Sequence, residues 1–328
     1  MATLLPAAAF AIDIDISDAT TPDEAAVNQT IAVFISSDAT VSVDYTIIDG
    51  TATNGDDYTA SSGTLNFSPG NTVQSINIPI LSDDIDEDIE TIIINLSNPT
   101  GGAVIVDNQA TLYIVDDDPE PQISINDDNT TETNGTYSLA ATLNNPSSKD
   151  VSVGWRAIAG TASDGSDFNS SQGTLNFPAG NTSQNISISF LDDSMDEDNE
   201  TVIVTLYDPV FATLDNSTAV ITLQDDDAEP SISAADITTT DESVANITIS
   251  LSAPSSRTVA VLATTSGITA TEGTDYTATS TNVQIPPGNT FTTLSIPLND
   301  DTLDELNETF EVGFSNPSNA SIFDNNTV

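Results

Sequence analysis

Carboxylates are the only side chains in this sequence gathered densely enough to do chemistry. Residues 82–90 hold Asp83, Asp84, Asp86, Glu87, Asp88 and Glu90, and residues 192–200 hold Asp192, Asp193, Asp196, Glu197, Asp198 and Glu200. Residues 300–308 add Asp300, Asp301, Asp304, Glu305 and Glu308; two triplets, Asp116-Asp117-Asp118 and Asp225-Asp226-Asp227, stand apart from these. These 33 positions carry 23 of the 51 acidic residues in a chain of 328, more than four times their share. Two like charges at ~4 Å repel by about 1–4 kcal/mol, depending on screening. Such clusters are either a solvated acidic face or the ligands of a hard cation. A solvated face would scatter acid over exposed strands, whereas these groups recur at one place in three segments. Recurrence favours coordination. Ca2+ accepts about six to eight oxygens in irregular geometry, and Mg2+ fits less well because it keeps its waters. Paired carboxylates also cleave glycosides, but that needs one differentiated pair in a cleft, not three near-copies. The expectation is a protein without catalytic activity.

The remaining composition narrows the partners. The chain has no histidine and no cysteine. That removes Ser-His-Asp triads, thiol nucleophiles, zinc, haem and iron–sulfur centres. Only Lys149, Arg156 and Arg257 are basic, and the formal net charge is −48. Nucleic acid and anionic membrane surfaces are therefore not expected as partners. No apolar run reaches ~18 residues, so no direct membrane insertion by a helix is expected. Ser, Thr, Asn, Asp, Ile and Val dominate, which favours strands over helices.

The elements that position the carboxylates follow from internal repeats. Gly50-Thr51-Ala52, Asp57-Tyr58, Gly63-Thr64-Leu65-Asn66-Phe67 and Gly70-Asn71-Thr72 occur in order. Gly160-Thr161-Ala162, Asp167-Phe168, Gly173-Thr174-Leu175-Asn176-Phe177 and Gly180-Asn181-Thr182 repeat them, and Asp275-Tyr276 and Gly288-Asn289-Thr290 mark a looser third copy. Asp57, Asp167 and Asp275 are 110 and 108 residues apart, so each unit is large enough to own a core. Ser75-Ile76-Asn77-Ile78 alternates polar and apolar, and Thr91-Ile92-Ile93-Ile94 reads as a strand buried on both faces. Seven such runs per unit, divided by Gly, Pro, Asn and Asp turns, predict an all-β chain of three immunoglobulin-like sandwiches. The expected division is an extension at 1–11 and units at 12–118, 119–227 and 228–328, with edges near Pro119-Glu120-Pro121 and Glu229-Pro230. Such short linkers bring the units end to end.

The order Gly-Thr-Ala, Asp-Tyr/Phe, Gly-Thr-Leu-Asn-Phe, Gly-Asn-Thr, then an acidic loop ending in Glu-x-x-Glu, then an Asp triplet, resembles the Calx-β repeat over about residues 12–328. The resemblance implies seven-strand sandwiches whose Ca2+ ions cluster at one end. Carried over by position, the first unit would use Glu24, Asp57, Asp83, Glu87, Glu90, Asp116, Asp117 and Asp118, with the backbone carbonyl of Ile85. Ser82 stands where an Asp is usual. The second would use Glu132, Asp167, Asp192, Asp193, Glu197, Glu200, Asp225, Asp226 and Asp227, with the carbonyl of Met195. The third offers Glu242, Asp275, Asp300, Asp301, Glu305 and Glu308 but no Asp triplet. Asp86, Asp88, Asp196 and Asp198 alternate with these positions and are expected to face solvent.

The third unit is expected to lack its last strand, since 324–328 matches only the lead-in to that strand. Residues 2–10 carry a spare apolar stretch. The sequence therefore predicts head-to-tail self-association, with residues 2–10 of one copy completing the third unit of the next. The reading reached is an extracellular or cell-surface Ca2+-binding array, stiffened by Ca2+ and assembled into filaments. The alternative is a fragment of a large Ca2+-dependent adhesin or matrix protein.

Overall fold

The computed structural model describes residues 11–239, 243–300 and 306–324, with the backbone of Asn326–Thr327. Among the described residues every regular element is a strand. The first unit contains β1 (Ile12–Ile16), β2 (Ala19–Thr20), β3 (Asn28–Ile35), β4 (Val41–Asp49), β5 (Ser62–Phe67), β6 (Val73–Pro79), β7 (Glu90–Ser97), β8 (Ala103–Ile105) and β9 (Gln109–Ile114). One sheet runs β6-β3-β1-β8 and the other β2-β9-β7-β4-β5. The chain changes sheet between β1 and β2. Thus β1 pairs parallel with β8, and β2 pairs parallel with β9.

Side-chain period two builds these layers. In β3, Ile31, Val33 and Ile35 are buried and Phe34 points outward. In β7, Ile92, Ile94 and Leu96 meet them across the core, and Ile14, Ile76, Ile78 and Leu112 fill the space between the sheets. The second unit repeats the plan with two five-stranded sheets around its own core. The third has two four-stranded sheets and a third core. Each sandwich thus folds around apolar contacts of its own.

The repeated Gly-Thr-Ala motif is a clamp between sheet and loop. The amides of Gly50 and Ala52 both donate to the Thr91 carbonyl at 3.1 Å. A Cβ on Gly50 would lie 2.4 Å from that oxygen, so only glycine fits. Thr51 N–H donates to Thr91 Oγ1 at 3.0 Å, and Thr91 N–H returns a bond to Thr51 Oγ1 at 2.8 Å. Thr161 and Thr201 do the same at 3.0 and 2.9 Å. The clamp holds the first residue of β7, Glu90, against the loop that carries Asp57.

The last strand of the third unit begins in the structure. Asn326 and Thr327 pair with Gly313 and Val312 of the strand Phe310–Ser318. In the first unit the equivalent pairing runs for six residues, from Glu90 opposite Ile114 to Asn95 opposite Gln109.

Candidate metal centre

The carboxylates of the first unit come from four separate stretches that meet at one end of the sandwich. Asp57 is held by the Thr53 amide, which donates to its Oδ2 at 2.6 Å. The Leu81 amide donates to the Asp57 carbonyl at 2.9 Å, so the Asp57 loop is tied to the start of the acidic loop. Within that loop, Ile85 N–H donates to Asp83 Oδ1 at 2.7 Å, a local turn that the sequence of alternating Asp favours. Thr21, itself buried, accepts from the Val115 amide at 3.0 Å and so brings Glu24 beside the Asp116–118 run.

Two sets of oxygens converge there. Glu24, Asp83 and Asp118 form one group and Asp57, Glu87 and Glu90 another, each with oxygens within 4.8 Å of one another. In the second unit Glu132, Asp167 and Glu197, the counterparts of Glu24, Asp57 and Glu87, form a third group that draws on both, with Glu132 and Asp167 buried. There the Met195 amide donates to Asp193 Oδ1 at 2.7 Å, as Ile85 does to Asp83. The middle residues of the triplets, Asp117 and Asp226, and the loop residue Asp192 are exposed, while Asp116, Asp225 and Asp227 are half-buried.

Burial and mutual repulsion disturb the protonation of this site. Burial pushes Glu24 up to about 7, helped by the charges of Asp116, Glu87, Asp83 and Asp118. Burial also lifts Glu87 to about 7, with Asp57 the strongest neighbouring charge. Glu90 rises to about 8, through burial and then the hydrogen bond and charge of Asp57. The second unit reproduces the pattern: Glu132 and Glu197 rise to about 7 and Glu200 to about 8, burial being the largest cause each time. Asp118 and Asp227 are raised by burial and then by the other members of their triplets. One oxygen each of Glu90, Asp118, Glu200 and Asp225 is buried without a hydrogen-bond partner. Buried acceptors are ordinarily satisfied. A hard divalent cation supplies what these oxygens lack, so the residues present fit Ca2+.

The third unit differs. Its Asp275 is held by the Thr271 amide at 2.6 Å, as Asp57 is by Thr53. Asp300 and Glu308 are exposed, whereas Glu90 and Glu200 are half-buried. Glu242, Asp301 and Glu305 lie outside the described residues, and so do residues 2–10. Among the described residues, no cluster of this kind forms in the third unit.

One expectation about exposure is overturned. Asp86 and Asp196 do not face solvent; they are 3% and 2% exposed, because each is covered by the sandwich that follows its own. Asp88 and Asp198 do face outward, with side chains 88% and 80% exposed. The clamp residues Thr51, Thr91, Thr161 and Thr201 were not singled out from the sequence for any role. The signal for Thr51 and Thr161 is the repeated Gly-Thr-Ala motif, whereas Thr91 and Thr201 each directly follow a glutamate, Glu90 and Glu200.

Tandem immunoglobulin-like sandwiches with carboxylates massed at one end define a class of cation-binding module. The Calx-beta domain family model matches residues 17–118, 116–227 and 228–324, and the chain belongs to that family. Sodium/calcium exchanger 1 of Rattus norvegicus is 28% identical over 203 residues, covering 56% of this chain and 21% of the exchanger. The chain therefore spans about a fifth of that relative's length. Among solved structures, the apo-form Calx CBD1 domain is 31% identical, covers 33% of this chain and all of its own, with a TM-score of 0.31. The calcium binding domain CBD12 of CALX1.1 is 21% identical over 65% of this chain and 99% of its own, with a TM-score of 0.33. Calx-beta domains bind Ca2+.

Proposed function

We propose that this chain is a Ca2+-binding structural array. The observation that carries this reading is the pair of three-carboxylate groups in the first unit, repeated in part in the second, with buried oxygens that lack hydrogen-bond donors. Glu24, Asp83 and Asp118 bind one ion and Asp57, Glu87 and Glu90 another; Asp116, Asp117 and the Ile85 carbonyl complete the shells. In the second unit Glu132, Asp167, Asp192, Asp193, Glu197, Glu200, Asp225, Asp226, Asp227 and the Met195 carbonyl act likewise. Ca2+ neutralises the repelling loops and stiffens the end of each sandwich. In the third unit Glu242, Asp275, Asp300, Asp301, Glu305 and Glu308 are the residues for the same role.

The array works outside the cell or on its surface, where Ca2+ is abundant enough for sites of about 10⁻⁴–10⁻³ M. At tenfold excess over such a Kd, each site adds about 1.4 kcal/mol to stability. Thermal melting with Ca2+ and with chelator tests the reading. A clear fall of the melting temperature in chelator supports it, and an unchanged melt defeats it.

Assembly is the second part of the reading. The strand Phe310–Ser318, which pairs with Asn326 and Thr327 at Gly313 and Val312, is the edge a strand from another copy would extend. Residues 2–10 of another copy fill that place and build a head-to-tail filament. Removing residues 1–11 and viewing the protein by electron microscopy checks this: filaments that persist end the idea. An adhesin or matrix role is the alternative use of the same array.

A further inference from the structure

Asp86 and Asp196 are buried carboxylates in the most acidic stretches of the chain, yet they join none of the metal-ligand groups. Each instead enters a short turn of the following sandwich. Asp86 N–H donates to the Pro146 carbonyl at 3.4 Å, and Ser148 N–H donates to the Asp86 carbonyl at 3.0 Å, which makes a single parallel bridge between Asp86 and Ser147. Ser147 Oγ donates to Asp86 Oδ2 at 2.7 Å and Lys149 Nζ to Asp86 Oδ1 at 2.9 Å. The second joint repeats every contact. Asp196 N–H reaches the Pro254 carbonyl at 3.3 Å, Ser256 N–H reaches the Asp196 carbonyl at 2.9 Å, Ser255 Oγ reaches Asp196 Oδ2 at 2.7 Å, and Arg257 pairs with Asp196 Oδ1.

We propose that Pro146-Ser147-Ser148-Lys149 and Pro254-Ser255-Ser256-Arg257 are docking turns, each gripping the acidic loop of the preceding sandwich, and that this grip closes without a metal ion. Three observations carry it. First, half of the grip is main-chain pairing, which no divalent ion has to complete. Second, both oxygens of each gripping carboxylate already accept a hydrogen bond, and neither Asp86 nor Asp196 joins a group of converging metal-ligand oxygens. Third, the turns are built in advance by their own sandwich. Gly180 N–H, at a φ of 78°, donates to the Ser147 carbonyl at 2.8 Å, and Gly288 N–H, at a φ of 75°, donates to the Ser255 carbonyl at 2.9 Å. The amides of Lys149 and Arg257 bond back to the serine hydroxyls, both at 3.1 Å. The repeated Gly-Asn-Thr motif thus acquires a use: it braces a receptor. In the first sandwich Ala39 stands at the place of Lys149, and Gly70 N–H goes to the Asp38 side chain instead. Two of the chain's three basic residues are committed to the joints. Removing one partner from a buried ion pair leaves the other uncompensated, so Lys149 and Asp86 depend on each other.

This proposal stands apart from Ca2+ binding and is tested separately. The chain lacks cysteine, so Asn66→Cys and Asn176→Cys place one spin label on each of the first two sandwiches. The distance distribution between them, measured by pulsed electron resonance, is expected to be equally narrow in chelator and in Ca2+. Lys149→Met is expected to broaden it at least twofold in both conditions, and Lys149→Arg to restore it, as arginine already serves the second joint. A distribution that is broad in chelator and narrows only with Ca2+ overturns the proposal, as does a narrow one in Lys149→Met. Asp86→Asn cuts the same pair from the other side if Lys149→Met fails to fold. Calorimetric Ca2+ titration of the same samples reports the metal sites independently, so failure of the joint and failure of the metal reading are told apart.

Discussion

Glu24, Glu87 and Glu90 hold their protons to a higher pH in the fold than in the unfolded chain. Their carboxyls titrate at about 7, 7 and 8 in the fold, against an ordinary value of 4.5. Between those limits the folded state holds more protons than the unfolded one, so stability falls as pH rises. The metal-free protein should lose melting temperature steadily from pH 5 to pH 8. Ca2+ should displace the protons and remove that slope, and calorimetry in buffers of different ionisation enthalpy at pH 7 should register proton release on binding. A flat metal-free profile contradicts the site. At this scale the crowding of carboxylates was legible in the sequence, because carboxylates crowd for few reasons. It misled about Asp86 and Asp196, since alternation with ligand positions says which way a side chain leaves its own loop and nothing about what covers it.

At the scale of elements, the clamp around Thr91 joins β7 to the loop bearing Asp57. Thr51→Val keeps the shape but deletes the hydroxyl that accepts from the Thr91 amide at 2.8 Å. A donor left unsatisfied there costs about 1–3 kcal/mol. The expected result is a lower melting temperature for the first unit and weaker Ca2+ binding in the Asp57, Glu87 and Glu90 group, with the second unit unaffected. Differential scanning calorimetry and titration on the same sample decide it; a variant with unchanged affinity detaches the clamp from the site. The strands themselves were legible from period two, as Ile31, Val33 and Ile35 show. The pairing at Asn326 and Thr327 was not, because two residues leave no period to read.

At the scale of the whole molecule, the charge of −48 is held by three small cores linked in series. The repeat spacing made the sandwiches countable from sequence, yet the joints were invisible: Lys149 and Arg257 were simply two of very few cations. Their placement has a consequence for proteolysis. A trypsin-like protease cuts only after lysine or arginine, so this chain offers it three bonds. Lys149 and Arg257 have side chains only 17% and 30% exposed within the joints, and Arg156 sits mid-strand, paired with Gln172 on one side and Thr205 on the other. Cleavage must wait for an opening event. Limited trypsin digestion of the folded chain should therefore be slow. Its first cuts should fall after Lys149 and Arg257, and Asp86→Asn should speed the former without touching the latter. A molecule this poor in basic residues has concealed nearly every place where such an enzyme can begin.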